Sequence, residues 1–317
     1  MAKRSSTKQS QNDKLLLSEA VEGFWLDKRL GFSATTIPGY RLAYRRLVEF
    51  LGDPPFHDVT SDDIRRFLID LSEKGLSKRS VHDCWIRLSS LWTWAQKELG
   101  AEHVIRGRIK RPGFTKRKIE PFTQTEIKKI LGSVTTNRRR LRGKTFEFNR
   151  TNGERDMAIV LTLLDSGLRA SELCALTLAD YDDKRGRLHV QHGKMDKERF
   201  VVIGKRTQKA LWRYLATRED TKAGDPLFVT RYGTPLTRTE LRHQLRRIGQ
   251  RAGVASVHPH RFRHTFAISF MRNGGNMAVL KELLGHATLE MVLVYAQVAE
   301  MDIDDAGKYS PVDGWRL

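Results

Sequence analysis

Four stretches of this 317-residue chain set side chains capable of chemistry at turns beside apolar helices. In DSGLRASELCALTLADY, Arg169 follows a Ser-Gly turn and precedes a helix opened by Ser171 and Glu172. HGKMDKER puts Lys194 and Lys197 at the tip of a hairpin. HPHRFRHTFAISFM packs His258, His260, Arg261, Arg263 and His264 ahead of an apolar helix. KELLGHATLEMVLVYAQV reads as a helix, a Gly-His turn with His286, and a second helix that carries Tyr295 in an otherwise apolar run.

Taken singly, each has an ordinary explanation. An arginine at a helix start can serve a salt bridge, a lysine at a hairpin tip keeps the turn soluble, and a histidine after a glycine can sit near the helix dipole. Tyr295, with Met291, Val292 and Val294 around it, has the setting of a core aromatic. His260 and His264 share a helical face as metal ligands would. The two intervening arginines would repel a dication, however, and no cysteine or carboxylate ligand is near, so no metal is expected there.

Their order along the chain changes the reading. Arg, Lys, His-x-x-Arg, His and Tyr together form a set suited to metal-free phosphoryl transfer onto a tyrosine. A phosphodiester under attack gathers negative charge on its non-bridging oxygens, which Arg169 and Arg263 can meet with bidentate guanidiniums. The phenol, with a reference pKa of roughly 10, must lose its proton as it attacks, and an imidazole such as His260 suits that role. The leaving sugar oxygen needs a proton, which a hairpin lysine can deliver. His286 can donate a hydrogen bond to a non-bridging oxygen.

These groups need helices and a hairpin to hold them. Four amphipathic segments come first, in LLLSEAVEGFWLDKRL, TTIPGYRLAYRRLVEFLG, TSDDIRRFLIDLSEKG and SKRSVHDCWIRLSSLWTWAQKELG. In the third, Thr60 or Ser61 can cap, Asp62 and Asp63 suit the dipole, and Ile64, Phe67, Leu68 and Leu71 form the stripe. The second is expected to bury Tyr40, Ala43, Leu47, Phe50 and Leu51. Residues 15–105 thus read as a helical domain behind a flexible, basic terminus, 1–14. Residues 106–120 read as a basic connector, with Arg106, Arg108, Lys110, Arg111, Lys116, Arg117 and Lys118 broken by Pro112-Gly113. A second domain, 121–298, opens with the capping-box pair Thr123 and Glu126. It continues through a polar stretch expected to be a loop (NRRRLRGKTFEFNRTNGERD), the helix MAIVLTLLDSG and a helix from Arg169. A hairpin then pairs Leu188 and Val190 against Phe200, Val202 and their neighbours, and several more helices follow from Thr207. The fold class is mainly α with a small antiparallel sheet.

Composition bounds the partners. Lys and Arg number 57 against 37 Asp and Glu, a net charge of +20, which points to a polyanion and above all to nucleic acid. No apolar run approaches the roughly 18 residues of a membrane span, and MAKRSSTKQSQNDK lacks a signal-peptide core. Cys84 and Cys174 form no paired motif, so a reduced, cytoplasmic setting is expected.

The blocks SGLRASELCALTLAD, HGKMDKERFVVI, HPHRFRHTFA and LLGHATLEMVLVYAQV, within about residues 121–298, resemble the tyrosine recombinase (phage integrase) family, particularly its Xer-like simple members without an arm-binding domain. The resemblance implies catalytic roles for Arg169, Lys194, His260, Arg263, His286 and the nucleophile Tyr295, with Glu172 bracing the site. His264 matches a frequent family histidine that has no assigned part in proton transfer. Met195 stands where the family commonly has a second glycine, which leaves Lys197 as the alternative general acid. The stretch 138–153 is longer than in the simplest members.

The implied architecture is a two-domain, C-shaped clamp on double-stranded DNA, with the helical domain as core-binding domain and the basic connector along the backbone. The implied reaction is strand exchange through a 3′-phosphotyrosyl bond and a Holliday junction, with neither ATP nor metal. The implied partners are DNA, a tetramer of the chain on two sites with the tail 299–317 exchanged between protomers, and DNA-bending accessory proteins, in the cytoplasm at the nucleoid. A type IB topoisomerase, which shares the chemistry, and a non-catalytic DNA-binding regulator are the alternatives.

Overall fold

The structure is a computed structural model that describes residues 14–33, 35–115, 120–141, 144–150, 152–191, 198–285 and 288–299. Lys116, Arg117, Lys118, Lys194, Lys197, His286 and the tail from 300 onward lie outside the described residues. The chain divides into two compact units, residues 1–117 and 118–317.

The first unit holds helices α1 (Leu17–Lys28), α2 (Ile37–Leu51), α3 (Ser61–Glu73) and α4 (Lys78–Glu98). Thr60 caps α3: its Oγ1 accepts from the Asp63 amide at 3.2 Å, and the Asp63 carboxylate accepts from the Thr60 amide at 2.9 Å. The expected stripe of α3 is buried in full. On α2 the buried residues are Ala43, Tyr44 and Leu47, while Phe50 stays 38% exposed. Tyr40 and Leu51 pack against the same core as expected, and Tyr44 joins them, edge-on to Phe24 of α1. The long helix α4 packs against α1, α2 and α3 and so buries a wide band, including Leu88, Leu91, Trp92 and Ala95.

The start of the expected connector is built into this unit. Ile105 and Ile109, one helical turn apart, are buried in the same core as α4. Arg111 lies 5.8 Å from the Trp85 ring centroid, Phe114 stacks edge-on to His82, Arg106 donates to Thr93 Oγ1 at 3.3 Å, and Arg108 pairs with Glu102. The charge run concealed two apolar anchors. Lys110 is exposed.

The second unit comprises α5 (Gln124–Thr135), β1 (Thr136–Leu141), β2 (Lys144–Asn149), α6 (Gly153–Ser166), α7 (Ala170–Ala175), β3 (Tyr181–Asp182), β4 (Arg187–Val190) and β5 (Arg199–Val202). Five helices follow: α8 (Lys205–Leu215), α9 (Arg238–Ala252), α10 (Pro259–Arg272), α11 (Met277–Leu284) and α12 (Glu290–Ala299). Helix α6 is central, with α5, α8 and α10 packed around it, so Ala158, Ile159, Val160, Thr162 and Leu163 are all buried. The Thr123–Glu126 capping box forms as expected, at 2.8 and 3.1 Å.

One sequence expectation changes here and a second is narrowed. The polar stretch after α5 is an antiparallel pair, β1–β2, with Arg139 opposite Phe146, instead of a loop. Its arginine run obscures the alternation in KTFEFN. In the second sheet, of order β3-β4-β5, Leu188 pairs with Val201 and Val190 with Arg199. Leu188, Val190 and Val201 face the core, while Phe200 and Val202 are 60% and 59% exposed. The partners of Leu188 and Val190 are thus the neighbours of Phe200 and Val202, which themselves take the outward face of β5. Among the described residues no helix is long and apolar enough to cross a membrane.

Candidate active site

The site forms where the ends of α6 and α11 meet the starts of α7 and α10. Helix α6 stops at Gly167 and α11 at Gly285, each left-handed, with φ 61° and 60°. A side chain at Gly167 would come within 2.4 Å of the Phe266 ring, so the turn needs glycine for both space and conformation. Both turns leave backbone carbonyls without helical partners, and arginines fill them. Arg263 donates to Gly167 O at 2.9 Å and Leu284 O at 2.7 Å. Arg169 donates to Gly285 O at 3.1 Å, and Arg199 to Leu283 O at 2.8 Å. Three consecutive carbonyls, 283 to 285, thus accept from three different guanidiniums. The negative end of a helix dipole is a favourable place for them.

Glu172 is the counter-charge. It is 4% exposed, and its carboxylate accepts from the Arg169 amide at 2.8 Å, Arg169 Nη1 at 2.7 Å, and Arg199 Nη1 and Nη2 at 3.1 and 2.8 Å. Burial pushes its pKa up, but the Arg199 and Arg169 guanidiniums outweigh this and hold it below the usual carboxylate range. The three arginines and this one carboxylate leave a local charge of +2, matched to a phosphate accumulating two negative charges. Arg263 is 2% exposed, and burial, with Arg169 nearby, lowers its pKa to about 10, so it remains charged at neutral pH.

The histidine–arginine cluster at the start of α10 separates by helical phase. His258 is the N-cap, its Nδ1 accepting from the Arg261 amide at 3.2 Å. Arg261 points away from the site, onto Glu126 at 2.9 Å and the Phe122 ring at 4.0 Å, and ties α10 to α5. His260, Arg263 and His264 share the other face. The rings of His260 and His264 stand 4.4 Å apart, edge to face.

Tyr295 on α12 is both a core aromatic and a site residue. Its ring is 5% exposed, in a cluster with Ala267, Ile268, Leu280, Leu284 and Val292. Its hydroxyl lies 3.1 Å from His264 Nδ1, and the Arg263 guanidinium is near enough to pull its pKa down. Burial raises the phenol pKa against the opposing pull of Arg263 and Arg169, so the hydroxyl keeps its proton until a base takes it. His264 is held neutral, its pKa lowered to about 4 by burial and by His260, His258 and Arg263, and His260 is shifted in the same direction, first by burial. In the Nε2–H tautomer, His264 Nδ1 is the hydrogen-bond acceptor for the phenol O–H. The sequence pointed to His260 as the base; the imidazole in contact with the phenol is His264.

Arg169, Glu172, His260, Arg263, His264 and Tyr295 therefore converge. A cleft of about 990 Å³ opens beside Arg169, His260 and Arg263 and is lined by Arg238, Arg242 and Arg246 of α9. These three, one turn apart, went unnoticed in the sequence, although their four-residue spacing on a helix otherwise buried through Leu241, Leu245 and Ile248 marks an exposed cationic row. Arg199, read only as part of the hairpin, went unnoticed because nothing local ties it to Glu172, 27 residues earlier. Among the described residues no group of His, Cys, Asp and Glu is arranged to hold a metal ion.

The Phage integrase family profile matches residues 122–301. The chain is 30% identical over 300 residues to tyrosine recombinase XerC of Bacillus pumilus, covering 91% of this chain and 93% of that protein. It is 32% identical over 286 residues to tyrosine recombinase XerA of Thermococcus kodakarensis, covering 89% and 91%. In fold it is similar to the Tn1549 transposon integrase solved with a circular-intermediate DNA, at a TM-score of 0.77 and 20% identity over 93% of this chain and 98% of that one. Matched along most of its length and carrying the arginine, histidine and tyrosine blocks together, the chain belongs to the phage integrase family, as a tyrosine recombinase.

Proposed function

We propose that the chain recombines DNA at specific sites with Tyr295 as nucleophile. The phenol oxygen bonds to the scissile phosphorus as the bond to the 5′ oxygen breaks, leaving a 3′-phosphotyrosyl linkage. The phenol proton passes to His264 Nδ1, with the His260 ring packed beside it. Arg169 and Arg263 meet the charge on the non-bridging oxygens. The leaving 5′ oxygen takes a proton from Lys194, and His286 donates to a non-bridging oxygen. The freed 5′ hydroxyl of a partner strand then attacks the phosphotyrosine, and a second round resolves the Holliday junction. Each new bond replaces one of similar energy, so the exchange needs no ATP.

The observation that carries this reading is the buried Tyr295 hydroxyl, 3.1 Å from the His264 imidazole on the helix that also carries Arg263. The cationic row of α9 and the basic residues of 106–118 support a duplex DNA substrate, with the helical unit as a second contact. Leu289, Met291, Leu293 and Val294, 42–46% exposed at the start of α12, support self-association into a tetramer on two sites. DNA-bending accessory proteins complete the assembly, which acts on the nucleoid in the cytoplasm.

The test is covalent trapping on nicked duplexes of randomised sequence, followed by sequencing of the trapped DNA. The expected result is an adduct on Tyr295, formed equally in EDTA and absent from Tyr295→Phe. No adduct, or an adduct that survives Tyr295→Phe, refutes the proposal.

A further inference from the structure

The residue most heavily engaged at the site without a part in the reaction is Arg199. It is the first residue of β5, and its side chain is 9% exposed. Both of its terminal nitrogens contact the Glu172 carboxylate, and its Nε donates to Leu283 O. Each oxygen of Glu172 therefore has two donors, one from Arg169 and one from Arg199. Oε1 accepts from both Nη1 atoms, and Oε2 accepts from the Arg169 amide and Arg199 Nη2. The Arg199 fork sets the plane of the carboxylate, and that plane sets where the Arg169 guanidinium lies. Close fit is built in on the far side too, since a side chain added at Gly285 would come within 3.1 Å of Arg199 Nη1.

We propose that Arg199 is a positioning residue for Arg169, acting through Glu172. Its Nε, Nη1 and Nη2 each donate to a protein acceptor, so its part is to hold the carboxylate and the Leu283 carbonyl. It holds the carboxylate so that Arg169 keeps one nitrogen on Glu172 and one on Gly285 O, with the rest of the guanidinium aimed at the reacting oxygens. A lysine cannot substitute, because one ammonium cannot span both carboxylate oxygens and the Leu283 carbonyl.

The inference rests on the recombinase reading, and its experiment keeps the two separable. Single-turnover cleavage is followed on a nicked duplex carrying the site recovered by trapping, at saturating protein. Variants Arg199→Ala, Arg199→Lys and Arg169→Ala are compared with Arg169→Ala/Arg199→Ala, with thermal unfolding of each. Failure of the unmodified chain to cleave would refute the recombinase reading; a wild-type rate in Arg199→Ala or in Arg199→Lys would overturn only the role of Arg199.

The expected loss for either Arg199 variant is on the order of 100-fold, the effect of a misplaced catalytic group, with DNA affinity changed less than about threefold. In the Arg169→Ala background the further loss on removing Arg199 should be less than about threefold, because the two act as one unit. A methylphosphonate at the scissile position, which removes one negative charge, should shrink the Arg199→Ala and Arg169→Ala deficits together. Multiplying losses in the double variant would show that Arg199 acts independently. Full rescue of Arg199→Ala by a 5′-bridging phosphorothiolate would place its effect on the hairpin lysine instead. Either result overturns the proposal.

Discussion

Glu172→Gln is the sharpest perturbation of the site's electrostatics. The substitution keeps volume and shape and removes one charge, taking the three-arginine cluster from +2 to +3. Each carboxylate oxygen accepts two N–H donors. Whichever way the glutamine amide turns, its NH2 must therefore face two donors. Removing one partner of a buried ion pair destabilises by about 3–5 kcal/mol. For a unit of this size that is roughly 6–20 °C in Tm, at about 2–4 °C per kcal/mol. Thermal unfolding of Glu172→Gln against the unmodified chain measures it. Added inorganic phosphate should restore more Tm to the variant than to the unmodified chain, because an anion can replace the lost charge. The cleavage rate below the variant's Tm should fall as well, since Arg169 loses its brace. An unchanged Tm with an unchanged cleavage rate would refute the reasoning, because it would mean that Glu172 does not neutralise the cluster.

Gly167→Ala should destabilise by about 2–4 kcal/mol, combining left-handed strain with overpacking against Phe266, and should slow cleavage by moving the carbonyl that holds Arg263; denaturant unfolding and suicide-substrate cleavage check both. His264, neutral in the fold with a pKa lowered to about 4 from 6.5, binds its proton more readily in the unfolded chain, so its contribution to stability is present above pH 6.5 and is lost as pH falls toward 4. With solvent screening that loss is about 1 kcal/mol by pH 5, and His264→Gln should flatten the stability profile between pH 7 and 5. Lys194→Ala should lose cleavage of an ordinary phosphodiester and regain it with a 5′-bridging phosphorothiolate; such rescue in Lys197→Ala alone would make Lys197 the general acid.

Local chemistry along the chain was enough to identify the helices and to name groups that the structure brings together. Thr60 with Asp63 and Thr123 with Glu126 are neighbours in sequence and cap their helices by short-range geometry, as the spacing indicates. The arginine, histidine and tyrosine blocks each sit on one turn or one helix face, so their types and order were visible without coordinates. Strand register was not, because β4 and β5 differ by a single residue between two pairings and the choice depends on which face meets the core. Nor was the hairpin β1–β2, whose arginine run hides its alternation, or the anchoring of Ile105 and Ile109 within a charged segment.

At the site itself, the sequence alone determined which groups are present: guanidiniums, imidazoles and one phenol in a strongly basic chain. Tertiary structure decided which of them touch. His264 rather than His260 meets Tyr295 because α12 packs against α10 at that helical phase. Arg199 joins Arg169 on Glu172 because β5 passes the start of α7, a contact between residues far apart in sequence. Residue type and helical spacing are local properties, whereas the meeting of three guanidiniums on one carboxylate and one row of carbonyls depends on how separate elements pack.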